Sequence, residues 1–352
     1  MKHVHRHQRA RGFTLVELMI GLAVGLFVSL AAISIFVSTR SLQTVSSSDS
    51  RRGENARLAL DLLHKDFRSA GFDGCRARLA DPPISLLNAG SALFLDGGTS
   101  GLAGAHGNGS TFVPALGAAF LAVAPTAPSA NSDVVSMRVP VEPLSLGLAA
   151  VMTTTTGVPS VGVDTPGNTI AEKDIVLIAN CKTGAIFQVT EANPASSGLL
   201  THAIGGAFNP GNASADLGQV FRGDSAVYRL QTHHYYIADS VQRPGTRSLW
   251  RFIFPNAGAQ AQEVAQGIDR MLVSYGVDDN NDQTVDRYVT ADSVVSWDMV
   301  VAVRVQLLSE TVKDNVAMSA QSVTFNGTTA TAADRRLRAQ LTEVIALRSR
   351  AP

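Results

Sequence analysis

The sequence predicts an α+β protein: a long N-terminal membrane-spanning α-helix followed by a globular head built on an antiparallel β-sheet. The run from Phe13 to Val37 is apolar apart from Glu17, and as a helix it can cross a bilayer core of about 30 Å. Much of the remaining chain consists of short segments rich in β-branched and aromatic residues, separated by turn residues. A helix followed by many strands is typical of the α+β class.

The residues before the apolar run carry four fixed positive charges: Lys2, Arg6, Arg9 and Arg11. This excess predicts a cytoplasmic N-terminus and a head on the other side of the membrane. Two alternatives are a secretory signal cut near Ser29-Leu30-Ala31 and a plain membrane anchor. A plain anchor does not account for Glu17, because a carboxylate next to lipid needs a partner.

Residues 11–20 read RGFTLVELMI and resemble, without a gap, the prepilin motif of type IV pilins and type II secretion pseudopilins. The resemblance implies that a membrane aspartyl peptidase cuts between Gly12 and Phe13 and methylates the new amine of Phe13. It also implies that Glu17 meets the N-terminal amine of a neighbouring subunit and sets the axial register of a filament. Residues 1–12 are then a leader peptide.

The N-terminal helix is expected to have a transmembrane half, residues 13–37, and an amphipathic half, residues 38–70. The apolar side chains of the second half recur at intervals of about one helical turn: Leu58, Leu62, Leu63 and Phe67. Gly71 is expected to end the helix after Ala70. Gly53 and the serine cluster before it favour a break or a melted turn.

The expected head comprises residues 71–352. Residues 80–170 are rich in Gly, Ala, Ser, Thr and Pro, which predicts irregular, exposed loops around strand-like islands such as Asp133 to Val139. Clearer strands are predicted further along: Asp174 to Ala179, Ala185 to Thr190, Ser225 to Ile237, Ser248 to Phe254, Met271 to Val277, Met299 to Leu308 and Leu341 to Leu347.

Several of these later segments resemble the minor pilin family called PilW. They are 232–237 (THHYYI), 248–251 (SLWR), 264–268 (VAQGI), 275–278 (YGVD), 302–305 (AVRV) and 345–348 (IALR). The resemblance implies a non-enzymatic protein that helps to initiate pilus assembly, with twitching, attachment and DNA uptake as readouts. It implies that the protein is located first in the inner membrane and later in the pilus or at the cell surface. The implied partners are other minor pilins, the major pilin, the prepilin peptidase and the inner-membrane assembly platform.

The composition excludes several other classes of protein. The 29 Lys and Arg residues balance the 29 Asp and Glu residues, so a broad basic surface for nucleic acid is not expected. Two cysteines are too few for a zinc cluster. The chain also lacks the G-x-S-x-G, P-loop and H-E-x-x-H motifs. No enzymatic activity and no required cofactor are therefore expected.

The two cysteines, Cys75 and Cys181, are predicted to form a disulfide, because an exported head folds in an oxidising compartment. The alternative is a pair of buried thiols. The chain has no C-x-x-C sequence that would suggest a redox function.

An acidic segment with the sequence DDNNDQTVD lies between two predicted strands. Its side chains at loop positions one, three, five and nine could coordinate calcium: Asp278, Asn280, Asp282 and Asp286. The segment departs from an EF-hand, because Gln283 stands at the glycine position and Val289 at the position of the bidentate glutamate. The alternative is a metal-free hairpin turn, which Asn and Asp also favour.

Three functions stay open at this point. The first is a minor pilin of a type IV pilus, and the second is a minor pseudopilin of a type II secretion machine, which has the same prepilin motif. The third is a membrane-anchored, calcium-dependent adhesin that does not polymerise. The pair His233 and His234 is not expected to form a metal site, because neighbouring residues of a strand face opposite sides.

Overall fold

The computed structural model describes residues 14–74, 83–88, 93–95, 101–141, 146–147, 159–164, 169–180, 182–205, 208–255 and 261–350. The chain divides into two compact units, Met1–Ser50 and Arg51–Pro352. The long helix α1 covers Leu15–Ser69 and contributes to both.

In the first unit, α1 is apolar and exposed between residues 15 and 37. Leu15 is 75% and Phe27 74% exposed, and the apolar side chains between residues 15 and 37 are similarly open. Within the described residues, α1 is the one helix long and apolar enough to cross a membrane, and its most apolar window has a mean hydropathy of 2.6. Such a surface requires either lipid or other apolar helices around it.

The helix continues through Gly53, so the expected break at this position is wrong. Glycine costs about 1 kcal/mol in a helix interior, but tertiary packing offsets this cost. In the second unit Ala56, Ala59, Leu63 and Phe67 are fully buried. The prediction of the apolar face is correct for Leu63 and Phe67 and wrong for Leu58, which is 46% exposed.

The helix ends where the sequence predicts. Ala70 and Gly71 form a turn, and Gly71 has a φ of +68°, which glycine adopts without steric strain. The Gly71 N–H donates to the carbonyl of Arg138, and the Ser349 hydroxyl donates to the carbonyl of Ala70 over 2.7 Å. Two later segments of the chain therefore satisfy backbone groups at the end of α1.

The strands in the described residues are β1 Ile84–Ser85, β2 Leu102–Gly107, β3 Phe112–Val113, β4 Val134–Pro140, β5 Leu146–Gly147, β6 Ser160–Gly162, β7 Ile175–Ala179, β8 Gly184–Gln188, β9 Leu199–Thr201, β10 Ala226–Asp239, β11 Arg247–Phe254, β12 Gln262–Gln266, β13 Ile268–Val277, β14 Arg287–Val289, β15 Val300–Glu310, β16 Ser322–Phe325, β17 Thr328–Thr331 and β18 Arg338–Ala346. Two short helices are α2 Ala118–Val123 and α3 Pro194–Ser197.

Two sheets make up most of the head. The larger sheet has ten strands, seven of which follow one another in the order β1-β8-β7-β10-β4-β2-β3. Of the other three, β5 and β11 pair with β10, and β12 pairs with β11. The smaller has the order β14-β13-β15-β18. All pairs in these sheets are antiparallel except β1 with β8, which confirms the predicted α+β fold. Each predicted strand is present with small shifts at its ends, and β2 and β4 extend the larger sheet into the region expected to be irregular.

The main core lies between the second half of α1 and the two sheets. Its buried side chains come from the helix (Leu63, Phe67), the larger sheet (Met137, Tyr235) and the smaller sheet (Val305), among others. A second cluster with Tyr236 and Trp250 covers the opposite face of the larger sheet. Neighbouring residues of β10 thus contribute to different cores, as the period of a strand requires.

Candidate functional site

The beginning of α1 places Glu17 in a reciprocal hydrogen-bonded cap. The backbone N–H and the hydroxyl of Thr14 both donate to Glu17 Oε2, over 3.1 Å each. In return, the Glu17 N–H donates to Thr14 Oγ1 over 3.2 Å. This is a capping box, in which residues Ncap and N3 satisfy each other's backbone donors. Gly12 and Phe13, the residues of the expected cleavage site, lie outside the described residues.

The cap leaves the Glu17 carboxylate in an exposed position at the first turn of an apolar helix. A carboxylate is favoured there by the helix dipole, and its remaining lone pairs can accept further hydrogen bonds. The geometry therefore permits a cation to approach Glu17 from outside the chain. Glu17 is among the residues that the sequence predicts, whereas the local function of Thr14 is not, although T-x-x-E before an apolar run is a recognisable capping signal.

The second half of α1 is joined to the larger sheet by a buried polar cluster. Asp66 Oδ2 lies 2.6 Å from His233 Nδ1 and accepts a hydrogen bond of 2.6 Å from the Tyr235 hydroxyl. All three side chains are buried. Burial raises the pKa of Tyr235 well above its ordinary value, and the negative charge of Asp66 raises it further. Tyr235 is therefore a permanent donor that helps to fix α1 on β10.

Replacing Asp66 by alanine is expected to destabilise the head by about 3 kcal/mol, because His233 and Tyr235 would lose their buried partner. The measurement is the urea unfolding midpoint of the full-length protein. Asp61→Ala is the matched control, since Asp61 is exposed one to two turns earlier in the same helix, and it should change the stability by less than about 0.5 kcal/mol. Equal effects of the two substitutions would contradict the structural importance of the cluster.

His234 faces away from this cluster, as expected. Its Nδ1 atom is 2.7 Å from the Ser136 hydroxyl and its Nε2 atom is 2.9 Å from the Leu93 carbonyl. Burial lowers the pKa of His234 to about 4, so the imidazole is neutral at physiological pH. The two histidines thus belong to different cores and do not form a common metal site.

The acidic segment forms a loop that satisfies its own backbone. Asp278, which is buried, accepts from the N–H groups of Asp282 and Gln283 over 3.1 and 2.8 Å. Asp282 accepts from the N–H of Thr284 over 2.8 Å, and Asp286 accepts from the N–H of Asp279 over 2.7 Å. The carboxylates therefore have amide donors as partners.

The calcium prediction for Asp278, Asn280, Asp282 and Asp286 is not tested by this geometry. Across the described ranges, no group of three or more His, Cys, Asp or Glu side chains is arranged to hold a metal ion. Gln283 has a φ of +70°, so it adopts the left-handed conformation that a glycine has in an EF-hand loop. The loop thus resembles a calcium loop in backbone conformation while its side chains make turn-type hydrogen bonds.

If the loop binds calcium, the affinity should be weak, with a dissociation constant of about 1 mM, because the ion must displace these amide hydrogen bonds. Isothermal titration of the full-length protein with CaCl2 measures this value. The variant Asp278→Asn/Asp282→Asn should show no saturable heat. Heats that are the same for both proteins, or absent from both, would contradict calcium binding at this loop.

Cys75 and Cys181 lie outside the described residues. Their described neighbours, however, are in contact: a Cβ atom placed on Gly74 would lie 2.8 Å from the Cβ of Ala179. Gly74 directly precedes Cys75, and Ala179 is two residues before Cys181. Asp73 is also held in this region by a 2.7 Å ion pair with the buried Arg138 of β4. These contacts support the predicted pairing, which stays a prediction.

Comparison with known families matches both ends of the chain. Residues 7–33 match the prokaryotic N-terminal methylation motif, and residues 234–349 match the type IV pilus-assembly protein W family. The first match contains Gly12, Phe13 and Glu17, and the second extends from within β10 to beyond β18. No curated protein and no solved structure matches the chain significantly.

A long apolar helix that begins at a methylation motif and is followed by a β-rich head defines the class of type IV pilin-like proteins. Within this class, residues 234–349 of the head are similar to the type IV pilus-assembly protein W family. Because α1 is apolar and carries the pilin motif, it is suited to membrane anchoring.

Proposed function

We propose that this protein is a minor pilin that takes part in initiating and assembling a type IV pilus. The observation that supports this proposal best is the combination of the PilW match over residues 234–349 with the methylation motif at the start of α1. The proposed role is structural rather than enzymatic.

In this proposal, residues 13–37 hold the subunit in the inner membrane, with its N-terminus in the cytoplasm and its head in the periplasm. The prepilin peptidase cuts between Gly12 and Phe13 and methylates the Phe13 amine. The exposed Glu17 carboxylate then pairs with the N-terminal amine of an adjacent pilin. Such a pair is strong where water is excluded, because the effective dielectric constant is low.

The apolar surface of α1 supports assembly by a second physical effect. In the membrane, lipid covers the exposed apolar side chains, and in a filament the helices of other pilins would replace lipid. Other minor pilins, the major pilin and the inner-membrane assembly platform are therefore the proposed partners. Twitching, attachment and DNA uptake are the expected cellular readouts. After assembly, the protein is expected at the pilus or cell surface.

Two alternative functions are less well supported than this proposal. A minor pseudopilin of a type II secretion machine would share the methylation motif, but the PilW match favours the pilus. A calcium-dependent adhesin that does not polymerise would need a calcium site, and the side chains of the acidic loop are engaged with backbone amides. Neither alternative accounts for both family matches.

The proposal is tested by intact-mass analysis of the membrane protein together with a deletion strain. We expect a mature chain that begins at methylated Phe13 only when the prepilin peptidase is present. Deletion of the gene should abolish surface pili and leave type II secretion unchanged. A chain that retains Met1 or is cut near Ala31, or a secretion defect with normal pili, would contradict the proposal.

A further inference from the structure

A cavity of about 130 Å³ opens on the face of the larger sheet that is opposite α1. It lies between β2, β4, β10 and the segment around α2. Most of its lining is apolar: Ala103, Ala105, Leu116, Phe120 and Val134. An apolar protein cavity of about 150 Å³ can hold one benzene molecule, so this space has the size of a single ring.

The lining also contains two polar side chains, Ser136 and His234. Their hydrogen-bond directions can be assigned. The Leu93 carbonyl, 2.9 Å from His234 Nε2, can only accept, so Nε2 carries the proton. Because burial keeps the imidazole neutral, Nδ1 is an acceptor and receives the Ser136 hydroxyl hydrogen over 2.7 Å. The Ser136 oxygen therefore has no hydrogen left to donate and can only accept from a ligand.

The lining also defines the charge of a ligand. Among the described residues that line the cavity, none is an Asp, Glu, Lys or Arg, and the histidine is neutral. Moving an ionised group into such a space without a charged partner is costly. Aromatic walls are present as well, since the ring of Phe120 lies 5.4 Å from that of His234 at an angle of 47°.

We propose that this cavity is a binding site for one uncharged aromatic ring that carries a hydrogen-bond donor, as in a phenol. The ring fills the apolar space beside Phe120, and its O–H or N–H donates to the Ser136 oxygen. This site is separate from the assembly function of α1 and Glu17. The ligand is a free small molecule of this chemistry.

The test uses the full-length protein in detergent and three probes that differ in hydrogen-bonding capacity and charge. Phenol has the ring and the donor, anisole has the ring without a donor, and benzoate carries a charge. Saturation-transfer NMR should give a dissociation constant of about 1 mM for phenol, which is reasonable for so few atoms. Anisole should bind about fivefold more weakly, as expected for one lost hydrogen bond, and benzoate should not bind.

Two variants distinguish binding of the probes at the site from their partition into detergent micelles. Ala103 is half-buried and lies opposite Ser136 in the β2–β4 pair, so Ala103→Leu should fill the cavity and abolish phenol binding. Ser136→Ala should retain the cavity and make phenol bind no better than anisole. Thermal unfolding checks that both variants are folded. Binding of phenol should also be equal at pH 6 and pH 8, because His234 stays neutral.

Identical phenol signals from the wild type and folded Ala103→Leu would overturn the proposal, because they would reflect the micelles alone. Equal affinities for phenol and anisole in the wild type would overturn the assignment of Ser136 as the acceptor. The outcome of this test is independent of whether the protein assembles into pili, since it measures only the head.

Discussion

Substituting Glu17 by alanine is expected to reduce surface pili by more than about tenfold. Assembly would bury the charge pair, and removing one partner of a buried charge pair destabilises it by about 3–5 kcal/mol. Each 1.4 kcal/mol changes an equilibrium constant by a factor of ten. Pili are counted by electron microscopy in a strain in which the variant replaces the wild type. The amount of mature protein in the membrane is measured in parallel, so that a loss of pili is not confused with degradation.

Glu17 has a local function as well, and a second variant separates the two. Glu17→Gln removes the charge, while its amide oxygen can still accept from the backbone and hydroxyl of Thr14. If the charge pairs with the amine of another pilin, Glu17→Gln should fail as Glu17→Ala does. Normal piliation in Glu17→Gln would show that the helix cap, not an intermolecular pair, is the contribution of this residue.

The second large effect is expected at the cysteines. Replacing Cys75 and Cys181 by serine should destabilise the head by about 3 kcal/mol, because the disulfide would close a loop of about 100 residues in the unfolded chain. The unfolding temperature should fall by about 6–10 °C for a domain of this size. Thermal unfolding of the periplasmically expressed protein, under non-reducing conditions, provides the measurement.

The single variants provide the control for this prediction. If the two cysteines are bonded, Cys75→Ser, Cys181→Ser and the double variant should have nearly the same stability, since each removes the same bond. Reduction of the wild type should lower its unfolding temperature by a similar amount. Additive effects of the single variants, or no effect of a reductant, would indicate two buried thiols instead.

The elements with strong local signals could be predicted from the sequence. The apolar run, the stop at Gly71 and the alternating strands each depend on residues that are close together in the chain. The helix continues through Gly53, against the expectation of a break, because burial of Ala56, Ala59 and Leu63 against the sheets outweighs the low helix propensity of glycine. Leu58 is exposed although it belongs to the predicted apolar face, because the buried positions of this part of the helix are occupied by Ala56 and Ala59.

The pairing of strands could not be predicted in the same way. β10 pairs with β4, β5, β7 and β11, and no local pattern specifies these distant partners. The same distinction between local and distant signals holds for the site residues. Glu17 belongs to a continuous motif and was found, whereas Asp66 acquires its partners His233 and Tyr235 from 167 and 169 residues further along.

The contacts at the end of α1 have a consequence for the order of biogenesis. The hydroxyl of Ser349 reaches the carbonyl of Ala70, and Glu343 of β18 lies 2.5 Å from His64, in each case across 279 residues. Contacts of such long sequence separation form late, because the intervening chain must first be brought together. In the proposed topology, with the head in the periplasm, the helix therefore completes its contacts with the head only after β18 has been exported. On that proposal, a subunit halted part-way through export would lack the completed head surface that assembly with other pilins needs.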